Sequence, residues 1–324
     1  MGKFQAAAAA VVLLLAAGFA WWFVEASRLE TAVAERAEAL RAEGWDAGFE
    51  AASVVGAPAR LDLTLRQPRL GAQGWRWDSA AILARGLIYR PDFLSLSAPG
   101  RHRFETPFGA VSLSARQAEA SLVFGDVYRA EALARFSMAL EGLTGTAPGG
   151  GAFEIEALSA YLRPPAQRLV GARRLYVKID GAALPGAPPL DLEIDGRALF
   201  DRSLASDAEG APEITGLALR PGVTLSWPGA ASGGLRLAGE ATRPTGAAPF
   251  AGWSGTFAFE SDEAEAAIAR LEAIGALRSQ PAAALRARIS AAGRLAGVLK
   301  IDGARAEVLD LGPEPIALWP IAPR

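Results

Sequence analysis

The chain contains no cysteine and no asparagine, one histidine, and three lysines among 324 residues. Without cysteine there is no disulfide and no thiolate metal site, so burial and sheet pairing must carry the stability. A single histidine, His102, rules out most zinc constellations and every Cys/His scheme. It lies between Arg101 and Arg103 after Pro99-Gly100 and reads as a solvated turn residue. Excess positive charge is missing too. A net charge of -2 and a pI near 5.7 leave no basic stripe for a phosphate backbone, and nucleic acid is not an expected partner. Arginine outnumbers lysine thirty to three, which with the abundant alanine and glycine marks a GC-rich genome more than arginine-specific chemistry.

Catalytic motifs fall short as well. Asp180-Gly181, Asp195-Gly196 and Asp302-Gly303 lack the spacing of a calcium loop and are expected to supply the positive φ angles of tight hairpins. Gly149-Gly150-Gly151 is not followed by the Lys-Ser/Thr of a P-loop. In Gly252-Trp253-Ser254-Gly255 the second glycine comes one residue early for a nucleophile elbow. Glu154 and Glu156 alternate with Phe153 and Ile155, which puts both carboxylates on a solvated strand face instead of across a cleft. No catalytic residue, metal ligand or cofactor is expected, and a hydrolase ranks behind two non-enzymatic readings.

The feature around which the rest is arranged is an uncharged run of twenty-one residues, Phe4 to Val24. As a helix it would be about 31 Å long, matching a bilayer core of about 30 Å. Trp21, Trp22 and Phe23 close the run, and Trp21 and Trp22 are expected at the membrane interface. A cleaved signal peptide is the rival reading, with Lys3 as basic region and Gly18-Phe19-Ala20 as cleavage pattern. Apolar residues continue past that site, which favours an uncleaved anchor. A short basic tail stays inside more readily than a large domain does, so a single-pass inner-membrane protein with residues 25–324 in the periplasm is expected.

After this anchor (residues 1–24), residues 25–43 consist almost entirely of Ala, Glu, Arg and Leu, with Leu29, Val33, Ala37 and Leu40 on one face: a helical stalk ended by Gly44. From there the period changes to two. Arg60 to Arg66 alternates leucine with polar residues, and similar stretches recur to the end of the chain. Short connections argue for antiparallel pairing. The expected fold is mainly β: an antiparallel meander forming a curved, open or partly closed sheet. A first β-rich half covers residues 44–143, a linker or long loop 144–151, and a second half 152–324. One helix is expected near 261–278, opened by a capping box of Asp262 and Glu265, and a second short one at 282–292.

Trp75 and Trp77 would share a sheet face beside Leu61, Leu63 and Leu65, giving a candidate apolar groove for an acyl chain. The alternative is core packing of those indoles against the helix at 261–277. One helix of five turns is too small to cover ten or more strands. The leading functional expectation is binding of lipid or another amphiphile, or envelope maintenance. The alternative is a scaffold subunit holding envelope protein partners at the membrane.

A pattern of motifs adds to this reading. Trp22-Phe23 with Glu25-Ala26, Gly56-Ala57-Pro58-Ala59-Arg60-Leu61-Asp62-Leu63-Thr64-Leu65, Pro68-Arg69-Leu70, Gly74-Trp75-Arg76-Trp77, Tyr89-Arg90-Pro91 and Thr106-Pro107-Phe108-Gly109 resemble the domain of unknown function 2125 family of anchored bacterial envelope proteins. Asp302-Gly303 with Leu311-Gly312-Pro313-Glu314-Pro315-Ile316 is similar to that family's closing hairpin, although Leu318-Trp319-Pro320 replaces its second Gly-Pro. The resemblance implies a sheet-and-turn framework and no assigned catalytic residue. More loosely, an anchor followed by a long meander is similar to AsmA-like envelope proteins, which are associated with lipid handling.

Overall fold

The computed structural model describes residues 3–126, 131–146, 150–164, 171–184, 187–201, 213–228, 234–246, 252–289, 293–311 and 315–320, apart from 73, 107, 108, 275 and 304; side chains of residues 3–15, 91, 125, 126, 131, 132, 317, 319 and 320 are not among them. It opens with α1 (Lys3–Ala42), 40 residues or about 60 Å of continuous helix ended by Gly44 at φ 90°. Among the described residues no helix is long and apolar enough to cross a membrane. The expected span, Phe4 to Val24, falls for the most part on side chains outside the described ones.

Among the described residues nineteen strands follow, in one open antiparallel sheet. The first eight form four long strands, each broken in the middle: β1 (Asp46–Gly48) with β2 (Ala51–Val55), β3 (Arg60–Arg66) with β4 (Arg69–Ala72), β5 (Trp75–Ser79) with β6 (Ala81–Leu87), and β7 (Arg90–Ser97) with β8 (Arg101–Thr106). The breaks line up across the sheet, and hydrogen bonds run through them: Glu50 N–H to the Arg66 carbonyl at 2.9 Å, and Gln67 N–H to the Ala80 carbonyl at 3.0 Å. Pro68 offers no donor and Gln67 has φ 45°, so this line cannot hold regular ladder geometry.

From β9 (Gly109–Asp126) the strands are long and unbroken: β10 (Glu131–Thr146), β11 (Ala152–Arg163), β12 (Ala172–Ala182), β13 (Leu190–Phe200), β14 (Ile214–Ser226), β15 (Leu235–Thr242) and β16 (Ser254–Ser261). After two helices come β17 (Leu295–Asp302), β18 (Arg305–Leu309) and β19 (Ile316–Pro320). Each long strand pairs with its predecessor and successor in the chain. Thr146 pairs with Ala152, so β10 and β11 are neighbours in one sheet, while residues 147–149 of the expected linker lie outside the described ones.

Helices α2 (Ala264–Ala273) and α3 (Ser279–Arg286) lie over the last strands, where Ala264, Ile268, Leu277 and Leu285 pack on Leu295, Val308 and Leu318. Leu271 and Ile274 extend this cover to Leu190 and Leu225. The expected capping box does not form. Glu263 is the N-cap and makes no side-chain capping bond, while Asp262 pairs with Arg294 at 2.7 Å and Glu265 with Arg286 at 2.7 Å.

Two of the three Asp-Gly pairs also depart from expectation. Gly303 (φ 60°) turns the β17–β18 hairpin, but Gly181 (φ 63°) sits in a bulge of β12 and Gly196 in the middle of β13. A Cβ on Gly196 would lie 2.6 Å from the Ala218 carbonyl oxygen, so glycine is required by close backbone approach instead of by a turn. That approach occurs where β14 bulges between Leu219 and Val223, at Pro221-Gly222.

Candidate functional site: an apolar groove beside the N-terminal helix

The inward stripe of α1 is Trp22, Ala26, Leu29 and Val33, at the spacing of one helix face. It packs on Val54, Leu63 and Ala84, with Leu61, Leu65, Leu94 and Leu96 around them. Two polar contacts fix the helix. The Trp22 indole N–H donates to the Arg60 carbonyl at 2.6 Å, and Glu30 Oε1 accepts from the Val54 N–H at 2.8 Å. The second contact satisfies an amide on the outermost strand, where a free edge invites unwanted pairing.

Helix and sheet do not close completely. Ala84 and Gly86 on β6 place no bulk opposite the helix, and a cavity of about 630 Å³ remains, lined by Trp21, Leu29, Val33, Leu61, Leu63 and Phe93 among others. Its size falls in the ordinary range of small-molecule sites. Glu25 is the one charged side chain in its lining, and it already pairs with Arg28 at 2.8 Å. Near Phe93, the Arg90 guanidinium lies 5.9 Å from the ring centre and holds the Asp92 carboxyl below its ordinary value by hydrogen bonding. The site therefore offers hydrocarbon contact and no unpaired charge.

The structure divides the residues singled out from the sequence. Leu61 and Leu63 line the groove, and Leu65 packs on the same cluster. Trp75 and Trp77 do not join them, because the break at Gln67-Pro68 separates β3 from β4 and sends the indoles to β5, beyond it. There Trp75 meets Trp45 edge-on at 6.1 Å, and Trp77 stacks on His102 at 6.2 Å with an interplanar angle of 8°. Neither indole belongs to the clusters that pack on α2. His102 is not a solvated turn residue. It is 6% exposed, sits within β8, and its Nε2 lies 2.9 Å from the Ala98 carbonyl. Trp21 is half exposed, while Trp22 is buried against the sheet with its indole N–H on the Arg60 carbonyl. The inward turn of Trp22 could have been found by continuing the stalk stripe of Leu29 and Val33 back by one helical turn after another.

A larger trough of about 910 Å³ crosses β13 to β17, where Arg236, Ala238, Ala258 and Ala296 alternate with the apolar residues under α2. Its charges pair with one another or with neighbours, Arg236 with Glu260 at 3.7 Å and Asp195 with Arg174 at 2.7 Å. Among the described residues no group of His, Asp or Glu is placed to hold a metal ion.

Fold and groove together define a single-layer antiparallel meander with one apolar cleft between its N-terminal helix and its first strands. Residues 22–308 match the family described as "Uncharacterized protein conserved in bacteria (DUF2125)", and the chain belongs to that family. No curated protein and no solved structure matches the chain.

Proposed function

We propose that the protein is a membrane-anchored, non-enzymatic binder of a lipid acyl chain or a similar amphiphile, held at the membrane by the run from Phe4 to Val24. The observation that carries this reading is the 630 Å³ groove, lined almost wholly by hydrocarbon and formed by the same helix that continues into that run. An apolar cleft with few polar groups suits a ligand whose recognised part is a chain instead of a headgroup. Placement outside the cytoplasm belongs to the same proposal.

The test uses the full chain in mild detergent and a fluorescent fatty acid, with tryptophan emission as energy donor. Wild type is expected to bind, and native mass spectrometry to find co-purified lipid. Ala84→Leu with Leu61→Trp fills the cleft from the sheet side and is expected to weaken binding by about tenfold, or ~1.4 kcal/mol, with the far-ultraviolet circular dichroism unchanged. Wild-type protein that takes up no probe and carries no lipid would refute the reading. A stoichiometric protein crosslink in membranes without lipid would favour a scaffold instead.

A further inference from the structure

Eight large apolar side chains are exposed among the described residues, and six of them gather at one end. Phe19, Trp21, Phe23 and Val24 lie on α1, with exposures from 44% to 64%. Val55 (58%) ends β2, and Tyr89 (71%) stands in the tight turn between β6 and β7. These two tips are tied to each other and to the helix. Ile88 N–H donates to the Ala59 carbonyl at 3.2 Å, and the Arg60 carbonyl takes the bond from Trp22.

The direction of α1 decides what such a surface faces. Trp22 meets the β2–β3 tip, Glu30 meets Val54 further in, and the end of the helix leads to β1 beyond the line of breaks. The helix therefore runs away from the tips, and its apolar beginning extends past them, by about 27 Å between Trp22 and Phe4. Any bilayer holding that beginning meets the two hairpin tips first. Their composition suits the interface: an aromatic with a polar end at Tyr89, a branched apolar side chain at Val55, and the indole of Trp21 at the mouth of the groove. The nearby arginines are neutralised in place, Arg60 by Asp62 at 2.8 Å and Arg90 by Asp92 at 3.1 Å.

We infer that the β2–β3 and β6–β7 tips rest in the headgroup layer of the membrane, so that the groove opens directly onto lipid. This rests on the anchored reading above and adds to it a second, peripheral contact. Because the charges at the tips are paired, the contact is apolar in origin and needs no anionic lipid.

The absence of cysteine makes the test direct. Single substitutions Val55→Cys, Tyr89→Cys and, as a control in the β10–β11 hairpin on the opposite margin, Ala152→Cys are labelled with nitrobenzoxadiazole in the full chain. The protein is reconstituted in phosphatidylcholine vesicles containing a nitroxide-labelled lipid. Quenching at positions 55 and 89 is expected to be at least about twofold stronger than at 152, and unchanged in 0.5 M salt. Protein that floats with the vesicles but shows equal quenching at all three positions overturns the inference and leaves the anchor standing; this is the outcome if a partner protein covers the tips. Protein that does not float overturns both. Quenching that needs anionic lipid refutes the apolar origin.

Discussion

His102 shows how a residue type misleads when its neighbours are read one-dimensionally. Flanked by two arginines after Pro-Gly, it looks like surface, yet it alternates inward on β8 and stacks on Trp77. The flanking Arg101 and Arg103 are exposed because strand alternation sends them to the other side. His102→Ala is expected to remove the contact to the Ala98 carbonyl and leave a gap beside the indole, lowering stability by about 1–3 kcal/mol. Urea unfolding followed by tryptophan fluorescence measures the loss, and binding in the groove should persist because His102 takes no part in its lining. An unchanged midpoint would mean that the ring bears no load.

At the scale of elements, the join between α1 and the sheet depends on few contacts. Glu30 supplies the acceptor for an edge amide, and Glu30→Ala would leave the Val54 N–H to water or to a stray strand. A cost of about 1 kcal/mol is expected, with hydrogen exchange rising at residues 51–55 and remaining unchanged in β16 and β17. Elements were also what the sequence revealed best. Period-two apolar residues marked β3, β7, β12 and β13, and the Ala-Glu-Arg-Leu stretch marked the lower part of α1, whereas the helix expected near 261–278 is shorter, ending at Ala273, with α3 starting at Ser279. Breaks and bulges were harder, since Gln67-Pro68 and Pro221-Gly222 carry the same residue types as turns but lie inside ladders that continue on both sides. The groove was legible only in part. Leu61 and Leu63 were found by alternation, whereas the wall supplied by Trp21, Leu29 and Val33 comes from another element. A periodicity confined to one strand carries no information about what crosses it.

The whole molecule is thin. It exposes 18811 Å², against about 12,700 Å² expected from the scaling of folded monomers at 33.7 kDa. Ile268 is the largest fully buried side chain among the described residues. The apolar clusters are also separate: the one under α1 shares no residue with those around α2 and α3, which are linked to each other through Leu271 and Leu299. A sheet of this kind should behave as neighbouring segments instead of one cooperative unit. Denaturation is expected in two steps, with residues 51–97 and 254–309 losing exchange protection at different urea concentrations, and with a smaller total denaturant slope than a compact chain of this length would show. A single sharp transition, identical for both segments, would contradict this.

Strand succession without crossovers also bears on synthesis. With each broken strand counted as one, every strand finds a partner in the one made just before it, so the ribosome delivers residues in the order in which the sheet can accept them. Growth of this kind leaves a single advancing margin at any moment, and α1, being first, stands ready to shield the opposite one.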